Sequence, residues 1–308
     1  MGISNLIDPS HKEGLHKFML DRFAIPKLKN KPKILVEPMS KSYGLVGTSF
    51  EELLKVVMAS MNPNFDRKNG KVSKIDSQNL KIALKLKEAN LHSGYTKALS
   101  YRIKQEKNAL NSLMRDGMIT TDLIESCFFK GLCDLFEKSR ELPTNLIDFD
   151  KVILEELSRL LKIVPRDFLH SKSKIITSPD FGKASIDVGG ATGDLILGTT
   201  LIEVKTVKEL KFDRSYLHQL LSYYALSMIG GVGDFRNSKK FKIEFLAIYF
   251  ARHGFLWKVA LEEIGDKRAF DELIDWFRQY IDRVGANRHL RGASEVDSDQ
   301  LISKAIKL

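Results

Sequence analysis

The chain has 308 residues, of which 43% are hydrophobic and 29% charged, and it carries a formal net charge of +10 at pH 7. That length can bury a sizeable core, either as one elaborated domain or as a catalytic domain with a helical addition. No apolar run approaches the roughly 20 residues needed to cross a bilayer, and MGISNLIDPSHKEG has no basic start followed by an apolar stretch, so neither a membrane partner nor a secretory signal is expected.

Gly2 could suggest a myristoyl anchor, but the sixth residue is Leu6 rather than Ser or Thr. Two cysteines, Cys127 and Cys133, are too few for a disulfide framework or a four-thiolate zinc site, and both lie in an apolar stretch. They read as buried free thiols of a cytoplasmic protein. The positive charge is unevenly placed. Residues 1–107 hold 20 Lys or Arg against 10 Asp or Glu, whereas the remainder holds 29 of each sign. A basic N-terminal third suits a polyanion, since each neutralised phosphate releases counterions, and nucleic acid is the expected partner.

In chain order, a short helix is expected over 11–23, then a Lys/Pro-rich connector and an apolar helix over 49–61. Pro63, Asn69 and Gly70 punctuate a loop. Residues 77–117 have a helical pattern with Lys and Arg on the wet face. Thr121 opens another apolar helix, and Asp148 or Asp150 can cap one that Pro165 stops. After Pro165 the segments 173–182 and 193–207 are short, β-rich and bounded by glycine. Residues 213–229 form an amphipathic helix closed by Gly230 and Gly231. Two strands over 242–261 meet near Arg252, His253 and Gly254, and a closing helix spans 268–284.

The order predicts an α/β or α+β fold with one mixed sheet. The expected organisation is a basic segment (1–43), a first core helix (44–62), a helical insertion basic in its first half (63–165), a core of sheet and helices (166–288) and a loosely held tail (289–308).

The segment from Gly193 to Lys205 can be read geometrically. With Gly198-Thr199 as a two-residue turn, Leu197 faces Thr200, Ile196 faces Leu201, Leu195 faces Ile202 and Asp194 faces Glu203. Opposed residues share a side and strand side chains alternate, so Lys205 joins Asp194 and Glu203 on one face. Like charges opposed on paired strands are destabilising, and apolar flanks raise that cost. A carboxylate pair persists there more easily beside a cation, for which Lys205 and a divalent metal are both candidates. Asp194, Glu203 and the backbone carbonyl of Val204 are oxygen donors suited to Mg²⁺, with Mn²⁺ as an alternative. Such an ion can polarise a phosphate and acidify a water, with Lys205 offsetting negative charge. The plainer reading is an edge hairpin with ordinary surface charges.

Two further residues extend the pattern. Gln219 and Tyr223 lie four apart on the following helix and so share a face. An Asp on one strand, E-x-K on the next and Q-x-x-x-Y on a helix resembles the PD-(D/E)xK nuclease superfamily, and more narrowly its RecB-like branch. The resemblance implies a restriction-endonuclease-like core. It makes Asp194 and Glu203 metal ligands, Lys205 the catalytic lysine, and Gln219 and Tyr223 supporting residues. Upstream, Gly47-Thr48-Ser49-Phe50-Glu51-Glu52 is similar to the Gly-initiated first helix of that branch. The family's His four residues after the Gly is replaced here by Glu51. Glu51 or Glu52 could supply a carboxylate ligand instead, or both could be solvent-facing residues favoured by the helix dipole.

Other motifs carry less. Pro179-Asp180 spells the superfamily's first letters but sits far upstream of Glu203, so Asp180 and Asp187 are held in reserve. The glycines 189–193 lack the G-K-[ST] of a phosphate loop. His218 points away from Gln219 on its helix, and Arg252 and His253 read as solvated turn residues. The chain has neither H-E-x-x-H nor G-x-S-x-G. The expectation is a Mg²⁺-dependent nuclease acting on DNA. Two alternatives stay open: a non-catalytic nucleic-acid-binding or assembly subunit with the same fold, and an RNA-directed nuclease.

Overall fold

The computed structural model describes residues 3–8, 10, 14–25, 28, 31–66, 68–70, 93–139 and 150–290. Residues 71–92, which include the first part of the run expected to be helical (77–117), and the tail beyond Leu290 lie outside the described residues. The fold is mixed α/β, with a five-stranded mixed sheet flanked by helices. Strands β1 (Ile175–Thr177), β2 (Leu195–Leu197), β3 (Thr200–Lys205), β4 (Phe245–Phe250) and β5 (Phe255–Ala260) lie side by side in chain order. All neighbours are antiparallel except β3 and β4. A parallel pair needs a long crossover, and the helix Arg214–Gly230 lies within it.

The β2–β3 hairpin has the register its turn chemistry dictates: Leu195 opposite Ile202, Ile196 opposite Leu201 and Leu197 opposite Thr200. Gly198, at the first central position of the turn, has φ 59°, a conformation that favours glycine.

Alternation along the strands splits the core in two. Ile175, Leu195, Ile202, Val204, Ala247 and Tyr249 face one helical layer. That layer contains Tyr43–Met61 (α2), Ser93–Asp116 (α3), Thr121–Ser139 (α4) and Lys151–Lys162 (α5). Their sequence neighbours Ile176, Ile196, Leu201, Leu246, Ile248 and Phe250 face the other layer. It is built from Leu15–Arg22 (α1), Gly182–Asp187 (α6), Arg214–Gly230 (α7) and Lys267–Leu290 (α8). A sheet covered on both faces explains the unbroken apolar run of β4. Helices α3 to α5 thus share one apolar cluster with α2 and the sheet.

Local signals set the helix ends. Asp150 accepts a hydrogen bond from the Val152 N–H at 2.9 Å and so caps α5. Asp213 caps α7 through the Ser215 N–H at 2.8 Å. Gly131 of α4 lies so close to α2 that a Cβ there would stand 2.2 Å from Ser49 Oγ. Cys127 and Cys133 are free and buried. Among the described residues, no helix is long and apolar enough to cross a membrane.

Arg252 and His253 correct the expectation of a solvated turn. Both are buried, in a single 3₁₀ turn between β4 and β5 closed by Gly254. Arg252 forms an ion pair with Glu156 of α5, and both side chains are fully shielded. Its Nε donates to the Thr206 carbonyl at 3.2 Å and its Nη1 to the Val36 carbonyl at 3.3 Å. Glu156 Oε2 accepts from the Met39 and Ser40 N–H groups, each at 3.0 Å. The turn is covered by segments 46 to 216 residues away in sequence, so no local pattern could have signalled its burial.

Candidate active site

Asp194 stands one residue before β2, where the hairpin register carries it opposite Glu203. Its Oδ2 accepts from the Val204 N–H at 2.7 Å, so Val204 meets the site through its amide. The backbone bends sharply beside it. Ser178, which donates its N–H to the Asp194 carbonyl at 2.9 Å, has φ 46° although it is not glycine and precedes a proline. Backbone strain of this kind typically costs about 1–3 kcal/mol and persists where the surroundings hold it.

Lys205 and α7 build the next part. Lys205 Nζ lies 2.7 Å from Glu203 Oε1 and donates to Gln219 Oε1 at 3.2 Å. The Gln219 amide donates to the Tyr223 hydroxyl at 2.9 Å. Tyr223 stacks on Phe181 at 5.4 Å between ring centroids. Lys205 Nζ also sits 4.9 Å from the centre of the Tyr216 ring, a contact with no signature in the sequence. Asp194, Glu203, Lys205, Gln219 and Tyr223 are thus drawn into one connected set.

Helix α2 completes the cluster from the opposite layer. Glu51 comes close enough to Asp194 for the two carboxyl groups to influence each other's ionisation. Lys55, one turn further along α2, pairs with Glu51 and lies 3.7 Å from Glu52 Oε1. Sequence reasoning did not single out Lys55. Its only signal was the i,i+4 spacing from Glu51, common on any helix surface. What sets it apart is burial: Lys55 is 8% exposed.

The charges compete for ionisation. Burial, then the neighbouring Glu203 and Glu51 charges, push the Asp194 pKa well above the ordinary carboxylate value. Burial also raises Glu203, although Lys205 opposes the shift. Burial acts on Glu51 in the same direction but is outweighed by Lys55, which leaves its pKa lowered. Burial and the neighbouring charges thus favour the neutral form of Asp194, whereas Lys55 favours the charged form of Glu51. Fully ionised, Glu51, Asp194 and Glu203 would carry three negative charges against the two positive charges of Lys55 and Lys205.

Glu203 Oε2 is buried and has no hydrogen-bond partner among the described residues. An orphaned carboxylate oxygen costs free energy unless something positive meets it. All the donors are carboxylate oxygens, which suit a hard divalent cation, so the residues fit Mg²⁺ or Mn²⁺. Among the described residues, no three His, Cys, Asp or Glu side chains converge as they stand on a point that could hold an ion. Each of the three carboxylates instead has an oxygen turned to a neighbour: Glu51 to Lys55, Asp194 to Val204 and Glu203 to Lys205.

The site opens on one side. Lys205 and Gln219 line a cleft of about 650 Å³ whose other walls include His16, Lys211, Arg214 and Tyr216. Asp187, held in reserve by the sequence, pairs instead with Lys183 at 2.7 Å. Asp180 bridges Thr192 through its backbone, and its carbonyl accepts from Gly233 at 2.9 Å. His218 is buried edge-on against His16, with ring centroids 4.9 Å apart. Burial, with His16 and Arg214 nearby, lowers its pKa to about 4 and keeps it neutral. No family model, curated protein or solved structure matches this chain.

Proposed function

We propose that the chain is a divalent-metal-dependent nuclease of the PD-(D/E)xK type, with a restriction-endonuclease-like core and DNA as its expected substrate. The observation that carries this reading is the orphaned Oε2 of Glu203 in a cluster of buried Asp194 and Glu203 and half-buried Glu51, with Lys205 beside it. Carboxylates are costly to collect in a protein interior unless a cation joins them. Were Asp194 ionised as a ligand must be, these three carboxylates would exceed Lys55 and Lys205 by one negative charge.

Asp194, Glu203 and Glu51 would hold Mg²⁺ or Mn²⁺. When bound, the ion supplies positive charge to the scissile phosphate and acidifies a nearby water. Lys205 contributes a charge that does not depend on the metal. Two of its three N–H donors are taken by Glu203 and Gln219, and this fixes the direction of the third. An ammonium so held can orient the attacking water or offset the charge that develops on the phosphate. Gln219 restrains Lys205, and Tyr223 restrains Gln219 in turn. The cleft beside Lys205 is the route by which a strand would reach these groups.

The test is cleavage of circular single-stranded and supercoiled duplex DNA with Mg²⁺, Mn²⁺ or EDTA. Metal-dependent cleavage is expected, and Asp194→Ala, Glu203→Ala and Lys205→Ala should each lower it about a hundredfold or more while the fold is retained. Cleavage that survives all three substitutions would sink the assignment. Intact circles call for linear DNA and RNA. If these are bound but uncut, a non-catalytic nucleic-acid-binding role takes its place.

A further inference from the structure

Lys55 is a second buried lysine in the acidic cluster, and it stands on the helix that also carries Glu51. Its ammonium pairs with Glu51 and lies near enough to Asp194 to feel its charge. A divalent ion bound by Glu51, Asp194 and Glu203 would need the Glu51 carboxylate that Lys55 now holds. Two like charges cannot share that carboxylate cheaply in a shielded site. The side chain has another acceptor in reach, because Nζ lies 3.7 Å from Glu52 Oε1 on the same turn of the helix.

We propose that Lys55 is the resident counter-cation of this cluster and that a divalent ion must displace it from Glu51, with Glu52 receiving the released ammonium. The inference rests on the nuclease reading above and adds a determinant of metal affinity to it. The carboxylates are already turned to internal partners, so the protein alone binds the ion weakly. A phosphate in the cleft adds the negative charge that two lysines and a metal together require. Metal and polyanion therefore load in support of each other.

The experiment measures Mn²⁺ binding to the full chain without nucleic acid, at one fixed pH near 8, by electron paramagnetic resonance and calorimetry. Lys55→Met and Lys55→Gln are compared with the wild type, and melting curves check the fold. The glutamine variant keeps a hydrogen bond to Glu51 if the methionine variant folds poorly. Both variants should bind Mn²⁺ about tenfold more tightly, within the usual range for coupling between two sites. Glu203→Gln should weaken binding in either background. Wild type and folded Lys55 variants with equal affinity, or variants that bind more weakly, would overturn the displacement idea and leave the metal site standing. Binding seen only in the Lys55 variants would support it in its strongest form. If neither the wild type nor the variants bind Mn²⁺, the metal-site reading itself fails, a different result from the failure of Lys55 to compete.

Discussion

Asp194 shows at the scale of one residue what the cluster costs and what it can do. Burial and two neighbouring carboxylates raise its pKa well above the ordinary value, so the folded protein holds a proton that the unfolded chain would release. For a group shifted upward, the stabilising contribution is complete below its unfolded pKa and is lost as pH rises through the folded value. The metal-free protein should therefore lose stability as pH rises above about 4, the ordinary Asp pKa, until Asp194 ionises. Asn cannot ionise, yet it can accept from the Val204 amide and donate to Glu51. Asp194→Asn should raise the melting temperature of the metal-free protein at pH 8 by a few degrees while abolishing Mn²⁺ binding. Stability gained with function lost marks a residue kept for its chemistry. In the wild type, the proton must leave before Asp194 can ligate. Mn²⁺ affinity should then increase with pH, and calorimetry in buffers of different ionisation enthalpy should detect about one proton released. An affinity that stays flat from acid to alkaline pH would mean that Asp194 is already ionised.

Among the elements, α2 has to be placed most accurately, because it carries Glu51 and Lys55 into a site built on the sheet. Gly131 of α4 sets that placement: a Cβ there would stand 2.2 Å from Ser49 Oγ and 3.1 Å from the Ser49 backbone nitrogen. Gly131→Ala should destabilise the fold by about 1–3 kcal/mol, as overpacking does. It should also shift Glu51, two residues along from Ser49. Urea denaturation measures the first effect. Adding Ser49→Ala should recover part of it but not all, because the backbone contact remains. The hairpin needed no such packing to be readable. Gly198-Thr199 fixes a turn, the turn fixes the register, and the register brings Asp194 and Glu203 face to face. Spacing alone put Gln219 and Tyr223 on one helix face, and only the resemblance to a nuclease motif marked them as more than ordinary helix residues. The approach of α2 was not legible, since nothing between Gly47 and Lys55 states which strand end the helix meets. Lys55 had the same obscurity: an E-x-x-x-K pair looks alike on a wet surface and in a buried site.

Across the whole molecule, the Arg252–Glu156 pair connects the two-layered core to the site. Arg252 holds the Thr206 carbonyl, directly after β3 ends at Lys205, together with the Val36 carbonyl. Glu156 gathers the amides of Met39 and Ser40. The backbone N–H groups of Leu35 and Val36 return to the Arg252 carbonyl at 2.9 and 3.1 Å. One shielded ion pair thereby joins the connector before α2, helix α5, the β4–β5 turn and the exit of β3. Its two members are not equivalent to their neutral replacements taken singly. Removing one leaves the other charge buried and unpaired, which typically costs about 3–5 kcal/mol, whereas replacing both with apolar residues can be close to neutral. Arg252→Met and Glu156→Leu should each lower stability by about that amount, and Arg252→Met/Glu156→Leu by less than the sum of the two. Chemical denaturation of the four proteins closes the cycle. The double variant would still lack the hydrogen bonds to Thr206, Met39 and Ser40. Its Mn²⁺ affinity and cleavage rate should then fall even where its stability recovers, because the end of β3 would no longer be held in place. Recovery of stability and cleavage together would show that the pair supports the core alone.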